Sequence, residues 1–256
     1  MDVTQEILYE VRDGIAWLTI NRPEARNAMN KAVREGIREK AQAFADDSTA
    51  QVLVITAAGD KAFSAGGDLK EMAGTQMQIP PRDFFVYFNR SLTTDKPIIA
   101  AVNGMAYAGG FLLAQMCDLV ICADHATFAI TEARVGRGSP WAAPLAWIVG
   151  PRLAMELLTT GQPISAQRAY EAGFVNKIVP ATDLLAEAER MARTIADNAP
   201  LTVRAGKRLV YASASLGYHD MFEEGHRIYE AAYLSDDGLE GPLAFKERRK
   251  PVWKGR

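Results

Sequence analysis

KAFSAGGDLKEM (residues 61–72) and AVNGMAYAGGFLLAQMCDLVICAD (residues 101–124) decide the fold. Each is a glycine-rich loop running into a helix. The second is preceded by the apolar strand pattern Pro97 to Val102 and followed by another, Asp118 to Ala123. Short, continuously apolar runs of this kind mark strands covered on both faces. Buried strand, loop and helix in alternation predict a layered α/β architecture.

The pattern extends outward in both directions. Ile7 to Val11 and Ile15 to Ile20 read as strands joined by a turn at Asp13-Gly14. Asn21 to Asn30 is a loop with a turn at Pro23. Met29, Val33, Ile37, Ala41 and Phe44 recur at helical spacing. Gln51 to Thr56 is a further buried strand. After Trp141, helical patterns cover 141–149, 151–159, 165–172, 183–197, 200–214 and 217–234, with one short strand at Val175 to Val179. The expected organisation is an α/β core over residues 1–190 and a helical C-terminal region over 191–256.

Composition narrows the function classes. The chain has 256 residues, 48% hydrophobic and 23% charged, as in ordinary globular proteins. A net charge of −2 argues against a general nucleic-acid binder. Residues 246–256 hold six Lys and Arg against Glu247 alone, so that tail is either a solvated terminus or a phosphate contact. Cys117 and Cys122 sit in an apolar run and read as buried free thiols in a reducing, cytoplasmic setting. His125, His219 and His226 are scattered, with no metal-ligand spacing, so no metal is expected. The N-terminal MDVTQEILYE is neither a signal nor a transit peptide. Polar residues interrupt the apolar stretch from Pro97 to Ile130, so it is a core segment rather than a membrane span.

The chemistry concentrates in the two glycine clusters, Ala65-Gly66-Gly67-Asp68 and Ala108-Gly109-Gly110. A helix N-terminus presents free amides and favours negative charge, and glycine lets a ligand approach the backbone. Two such loops together could aim two N–H groups at one oxygen. Taken singly, either loop reads first as a tight turn, and Asp68 as a helix N-cap. Neither matches a phosphate-binding motif. Ala62-Phe63-Ser64-Ala65-Gly66 approaches the nucleophile-elbow pattern, with Asp183 and His219 or His226 downstream, which keeps a Ser64 hydrolase in play. Asp118 reads as a structural turn or cap.

Together, NRPEARNAMN (21–30), the two glycine stretches, ATFAITEARVG (126–136), TGQPISAQRAYEAGFVNKIVP (160–180), APLTVRAGKR (199–208) and FKERRKPVWKGR (245–256) resemble the crotonase, or enoyl-CoA hydratase/isomerase, superfamily. The resemblance runs in order through nearly the whole chain. It implies a ClpP/crotonase-type spiral of ββα units, with the C-terminal helices serving oligomerisation and covering the active site. It also implies a homo-oligomer, a trimer or dimer of trimers. The implied substrate is an acyl-CoA thioester; coenzyme A arrives as part of the substrate, with no permanently bound cofactor.

By the same resemblance, the amides of Gly67 and Gly109 would polarise the thioester carbonyl. Ala65, Asp68, Leu69 and Lys70 would line the CoA and acyl groove. Arg22, Arg26 and Lys254 are candidates for the CoA phosphates. Hydratases of the family commonly use two glutamates. The position of the first is Leu112 here, and that of the second is Glu132. Hydration asks for one group to activate water and another to hold it or return a proton, whereas moving a proton between two carbons needs one carboxylate. A lone Glu132 facing an apolar Leu112 therefore leans to double-bond isomerisation, with hydration as the alternative. Thioester hydrolysis and non-catalytic CoA binding remain alternatives of other classes. Arg134, Arg137 and Trp141 depart from the hydratase pattern; Gly136-Arg137-Gly138-Ser139-Pro140-Trp141 could shape the acyl pocket, and Tyr107 could also face it.

Overall fold

The computed structural model describes residues 6–256. Met1 to Gln5, on which the reading of the N-terminus partly rests, lie outside the described residues. Strands β1 (Ile7–Arg12) and β2 (Ile15–Ile20) form an antiparallel hairpin in which Ile7 faces Ile20. Its two turn residues, Asp13 and Gly14, both have positive φ, as a tight hairpin of this hand requires.

Next come helix α1 (Lys31–Asp46) and three pairs of short strands. The first pair is β3 (Val52–Ala57) and β4 (Ala62–Ser64), followed by helix α2 (Leu69–Gly74). The second is β5 (Ile98–Val102) and β6 (Met105–Tyr107), followed by α3 (Gly109–Met116). The third is β7 (Leu119–Ala123) and β8 (Thr127–Ala129), followed by a 3-10 turn at Glu132–Val135 and the helix α4 (Leu145–Thr160). Within each pair, the first strand joins one sheet and the second joins another. The large sheet has the order β1-β2-β3-β5-β7-β10, where β10 is Lys177–Val179, and is parallel from β2 onward. The small sheet is β4-β6-β8-β9, where β9 (Ile164–Ser165) is antiparallel to β8. This is the expected α/β spiral of ββα turns.

Burial explains the large sheet. All six residues of β3 are buried, because both faces are covered. Leu53, Ile55, Ile98 and Ala100 pack into a core with Phe44, Phe63, Phe111 and Phe128. Val52, Val54, Ile99 and Ala101 face the other way, onto Leu184, Ala188 and Ala192 of helix α6 (Leu184–Ala196). Residue 190 falls inside this helix. Between α4 and α6 lie α5 (Ala166–Glu171) and the strand β10 (Lys177–Val179), shorter than the expected run from Val175. Beyond α6 come α7 (Pro200–Ser213), α8 (Tyr218–Tyr233) and α9 (Asp236–Glu247).

Several expectations are corrected. Helices expected over 141–149 and 151–159 are one element starting at Leu145, broken at Gly150 before Pro151. Met29 lies outside α1, whose N-cap is Asn30, with its side chain accepting from the Val33 amide. Part of the basic tail is held by ion pairs, while Lys246, Arg248 and Lys250 are exposed and form no ion pair among the described residues. Arg249 pairs with Glu240 and Glu247, Lys254 Nζ lies 3.4 Å from Asp236, and Asp237 accepts the amides of Lys254 and Gly255. Helix α9, unread in the sequence, supplies most of these acids.

Cys117 and Cys122 are buried and unpaired with each other, as expected. Asp118 is the structural acid it was read to be. It accepts from the Ile98 amide at 2.7 Å, the Lys207 ammonium at 2.8 Å and the Tyr211 hydroxyl at 2.8 Å, tying β5 to α7. Among the described residues, no helix is long and apolar enough to cross a membrane.

Candidate active site

Strands β4, β6 and β8 run parallel, with Ser64 beside Ala106 and Tyr107 beside Ala129. Their carboxyl ends therefore open side by side. The three segments leaving those ends are Gly66-Gly67, Ala108-Gly109 and the turn carrying Glu132. Ligands of parallel sheets bind at this end, where loops diverge from strands.

The first two segments touch through glycine. A β-carbon on Gly66 would stand 2.7 Å from that of Ala108 and 3.0 Å from the Gly109 nitrogen, and Gly66 itself has φ +98°. A β-carbon on Gly110 would stand 2.2 Å from the Ser64 carbonyl oxygen. No side chain fits at either place. Ala108 takes φ 51° and ψ −119°, a region that non-glycine residues seldom enter, and strain there is worth on the order of 1–3 kcal/mol. Ala108 N–H is held by the Ala129 carbonyl at 2.9 Å. This leaves Gly109 as the first residue of α3.

The neighbouring amides are already used. Met29 N–H donates to the Gly66 carbonyl at 2.7 Å, and Asp68 N–H to the Met29 carbonyl at 3.3 Å, so Gly67 N–H points away from Met29. Ala65 N–H donates to Arg26 and Gly66 N–H to the Ser64 hydroxyl. Neither Gly67 N–H nor Gly109 N–H donates to any described group. Both residues face the tip of one ring. A β-carbon on Gly67 would lie 3.8 Å from Phe85 Cζ, and one on Gly109 only 2.8 Å from it. Phe85, Met29, Gly109, Leu112, Leu113 and Ile37 line a narrow crevice there.

Glu132 enters from the third segment. It is 9% exposed, and its Oε2 has no hydrogen-bond partner. Burial pushes its pKa up to about 7, opposed by its own backbone amide and by the Trp141 indole. Trp141 is itself fixed, because its carbonyl accepts from Gln115 Nε2 at 3.0 Å and its ring leans on Phe111. Gln115 lies one turn beyond Leu112, so the indole partner of Glu132 rests on the helix that carries Leu112. The other nearby carboxylates are occupied. Asp68 caps α2 through the Lys70 and Glu71 amides and meets Arg22 at 3.4 Å, while Glu71 pairs with Arg34 at 2.8 Å.

The remaining candidate residues fall as follows. Leu69 and Lys70 are exposed on the first turn of α2, beside Gly67. Arg26 is exposed beside Ala65 and forms no ion pair among the described residues. Arg22 is committed to Glu6 and Asp68, and Lys254 to Asp236, which weakens both as phosphate ligands. The Tyr107 hydroxyl meets Thr127, at the end of β8 away from Glu132. Ser64 is fully buried. Its hydroxyl donates to the Asn27 carbonyl at 2.8 Å and accepts from Gly66 N–H, and His219 and His226 lie exposed on α8. That removes the support for a nucleophile elbow. Two parts of the site were not read from sequence: Phe85, from a segment without regular structure, and the Arg34–Glu71 pair that locks α1 to α2. An apolar residue and a helical ion pair look alike in sequence wherever they sit.

A family model described as enoyl-CoA hydratase/isomerase matches residues 10–256. The carnitinyl-CoA dehydratase of Proteus mirabilis is 37% identical over 99% of this chain and 100% of its own length. That of Salmonella arizonae is 39% identical over 98% and 99%. The solved enoyl-CoA hydratase from Mycobacterium tuberculosis H37Rv superposes with a TM-score of 0.90 at 36% identity, covering 98% of this chain and 100% of that one. An enoyl-CoA hydratase from Mycobacterium marinum superposes with a TM-score of 0.90 at 34% identity, covering 98% of this chain and 100% of that one. Fold and similarity agree: the chain belongs to the enoyl-CoA hydratase/isomerase family, as an enzyme on the crotonase fold.

Proposed function

We propose that this enzyme binds an acyl-CoA thioester and shifts a carbon–carbon double bond within its acyl chain. The observation that carries the reading is a single buried, under-bonded carboxylate, Glu132, with the neighbouring acids Asp68 and Glu71 tied into cap and ion pair. The thioester oxygen accepts from Gly67 N–H and Gly109 N–H. Glu132 takes a proton from the carbon next to the thioester, and the electron pair moves onto that oxygen as a dienolate. The proton returns two carbons further along as the electrons flow back. No atom is gained or lost, so no water need be activated. A carboxyl with pKa near 7 suits both halves, giving and taking one proton at neutral pH. The two amides act without reorganising, because the glycine contacts already fix them.

Coenzyme A comes as part of the substrate. Ala65, Asp68, Leu69 and Lys70 form its groove, with Arg26 as an exposed cation beside Ala65. The reading includes a homo-oligomer, supported by the exposed Tyr218, Phe222, Tyr233, Leu234, Leu239 and Phe245 of the C-terminal helices and the turns joining them.

The names of the relatives favour a second reading, addition or loss of water. One experiment separates the two. The enzyme is incubated with a 3-enoyl-CoA and, separately, a 2-enoyl-CoA, and products are followed by mass spectrometry. The proposal expects 3-enoyl-CoA to convert at constant mass, with slow or no uptake of water by the 2-enoyl thioester. Fast gain of one water without double-bond migration rejects it in favour of hydration.

A further inference from the structure

The loop after Glu132 carries a half-buried cation, Arg137, that the proposed chemistry does not use. Gly136 takes the left-handed conformation and ends the 3-10 turn. Arg137 N–H then donates back to the Glu132 carbonyl at 2.9 Å. From there the side chain crosses to the segment after α2, where Nη1 donates to the Met77 carbonyl at 2.9 Å. That segment lines the site, because Met77 N–H is bonded to the Met72 carbonyl and Met72 Sδ borders Gly67. The guanidinium thus bridges the wall that carries Gly67 and the wall that carries Glu132. Its Nη2 is buried and has no hydrogen-bond partner. Among the described residues no carboxylate pairs with Arg137, Glu132 included.

An arginine keeps its charge at every accessible pH, and a neutral carbonyl satisfies only one of its five donors. A buried guanidinium nitrogen left without an acceptor costs free energy that a ligand oxygen would recover. The planar fork matches a carboxylate. We infer that Arg137 is a specificity residue of the acyl pocket, and that the substrate class is an acyl-CoA bearing a second carboxylate beyond the reacting carbons. The inference rests on the acyl-CoA reading above. With the thioester oxygen on the two glycine amides and the reacting carbons at Glu132, the far end of the chain meets the guanidinium.

The test uses the full-length enzyme and three enoyl-CoAs of equal chain length, ending in a carboxylate, a methyl group or a trimethylammonium group. Wild type is expected to favour the carboxylate over the methyl terminus by about 100-fold in kcat/KM, and to discriminate against the ammonium. In Arg137→Gln the carboxylate-to-methyl ratio falls to near one, and Arg137→Lys keeps part of it. Equal wild-type kcat/KM for the carboxylate and methyl chains overturns the inference, even if Arg137→Gln fails to fold, while leaving the acyl-CoA reading intact. Absence of calorimetric binding by all three thioesters overturns the acyl-CoA reading, and the inference with it.

Discussion

Two shielded acids within fifteen residues of each other have opposite surroundings. Asp118, after α3, has each oxygen filled, by an amide, an ammonium and a phenol. Glu132, after β8, keeps one oxygen empty and has its pKa pushed up to about 7 by burial. The satisfied acid fastens a strand to a helix, and its bonds leave it nothing further to do. The unsatisfied acid opposes stability and is free to exchange a proton. The contrast separates a structural carboxylate from the one proposed as the base.

The largest effect that could break the contrast is on turnover. Glu132→Gln keeps the side-chain shape and is expected to lower kcat by about 10³-fold, measured on the preferred enoyl-CoA. A near wild-type rate would remove the base. Next comes Asp118→Ala, which strands the Lys207 ammonium and leaves the Tyr211 hydroxyl without its acceptor. Thermal or urea unfolding should show a loss of roughly 3–5 kcal/mol. A change below 1 kcal/mol would mean that the cluster is dispensable.

The same pair differs in the sign of its pH effect. Glu132 has a folded pKa near 7, above the ordinary carboxylate value, so the native state binds more protons than the unfolded chain between about pH 4.5 and 7. Its contribution to stability therefore declines as pH rises through that window. Glu132→Gln removes the penalty. At pH 8 the variant should be more stable than wild type by on the order of 3 kcal/mol, with little difference below pH 4.5. Equal stability at pH 8 would show that the carboxylate is better solvated than its burial implies. The smallest effect is at Ser64. Ser64→Ala strands a buried carbonyl and amide, so about 1–2 kcal/mol of stability is lost. Turnover should stay within a few-fold, and its abolition would revive a serine nucleophile.

Most of the large sheet was legible because its central strands are long enough to show a continuous apolar run, as in VLVITA and IIAAV. The small sheet was not. Its strands AFS, MAY and TFA have three residues each, too few for any period to appear. Yet that sheet places the candidate site, since Gly67, Gly109 and Glu132 all follow its strands. The glycines were readable because backbone contact leaves no substitute for them. Phe85 and the Arg137 bridge were not, because tertiary crossing distances leave no local trace. The pairing within the tail was not legible for a related reason: the acids that hold Arg249 and Lys254 lie in α9, and sequence proximity gave no hint of who pairs with whom.

The central claim is that Glu132 takes a proton from the carbon beside a thioester held by the Gly67 and Gly109 amides. Proton exchange at that carbon tests it without any assumption about the product. A saturated acyl-CoA is incubated with the enzyme in deuterated buffer, and loss of the α-proton signal is followed by NMR. The account expects enzyme-dependent exchange that rises with pH through about 7 and falls by about 10³-fold in Glu132→Gln. Exchange that persists in the glutamine variant, or that ignores pH across this range, would contradict it.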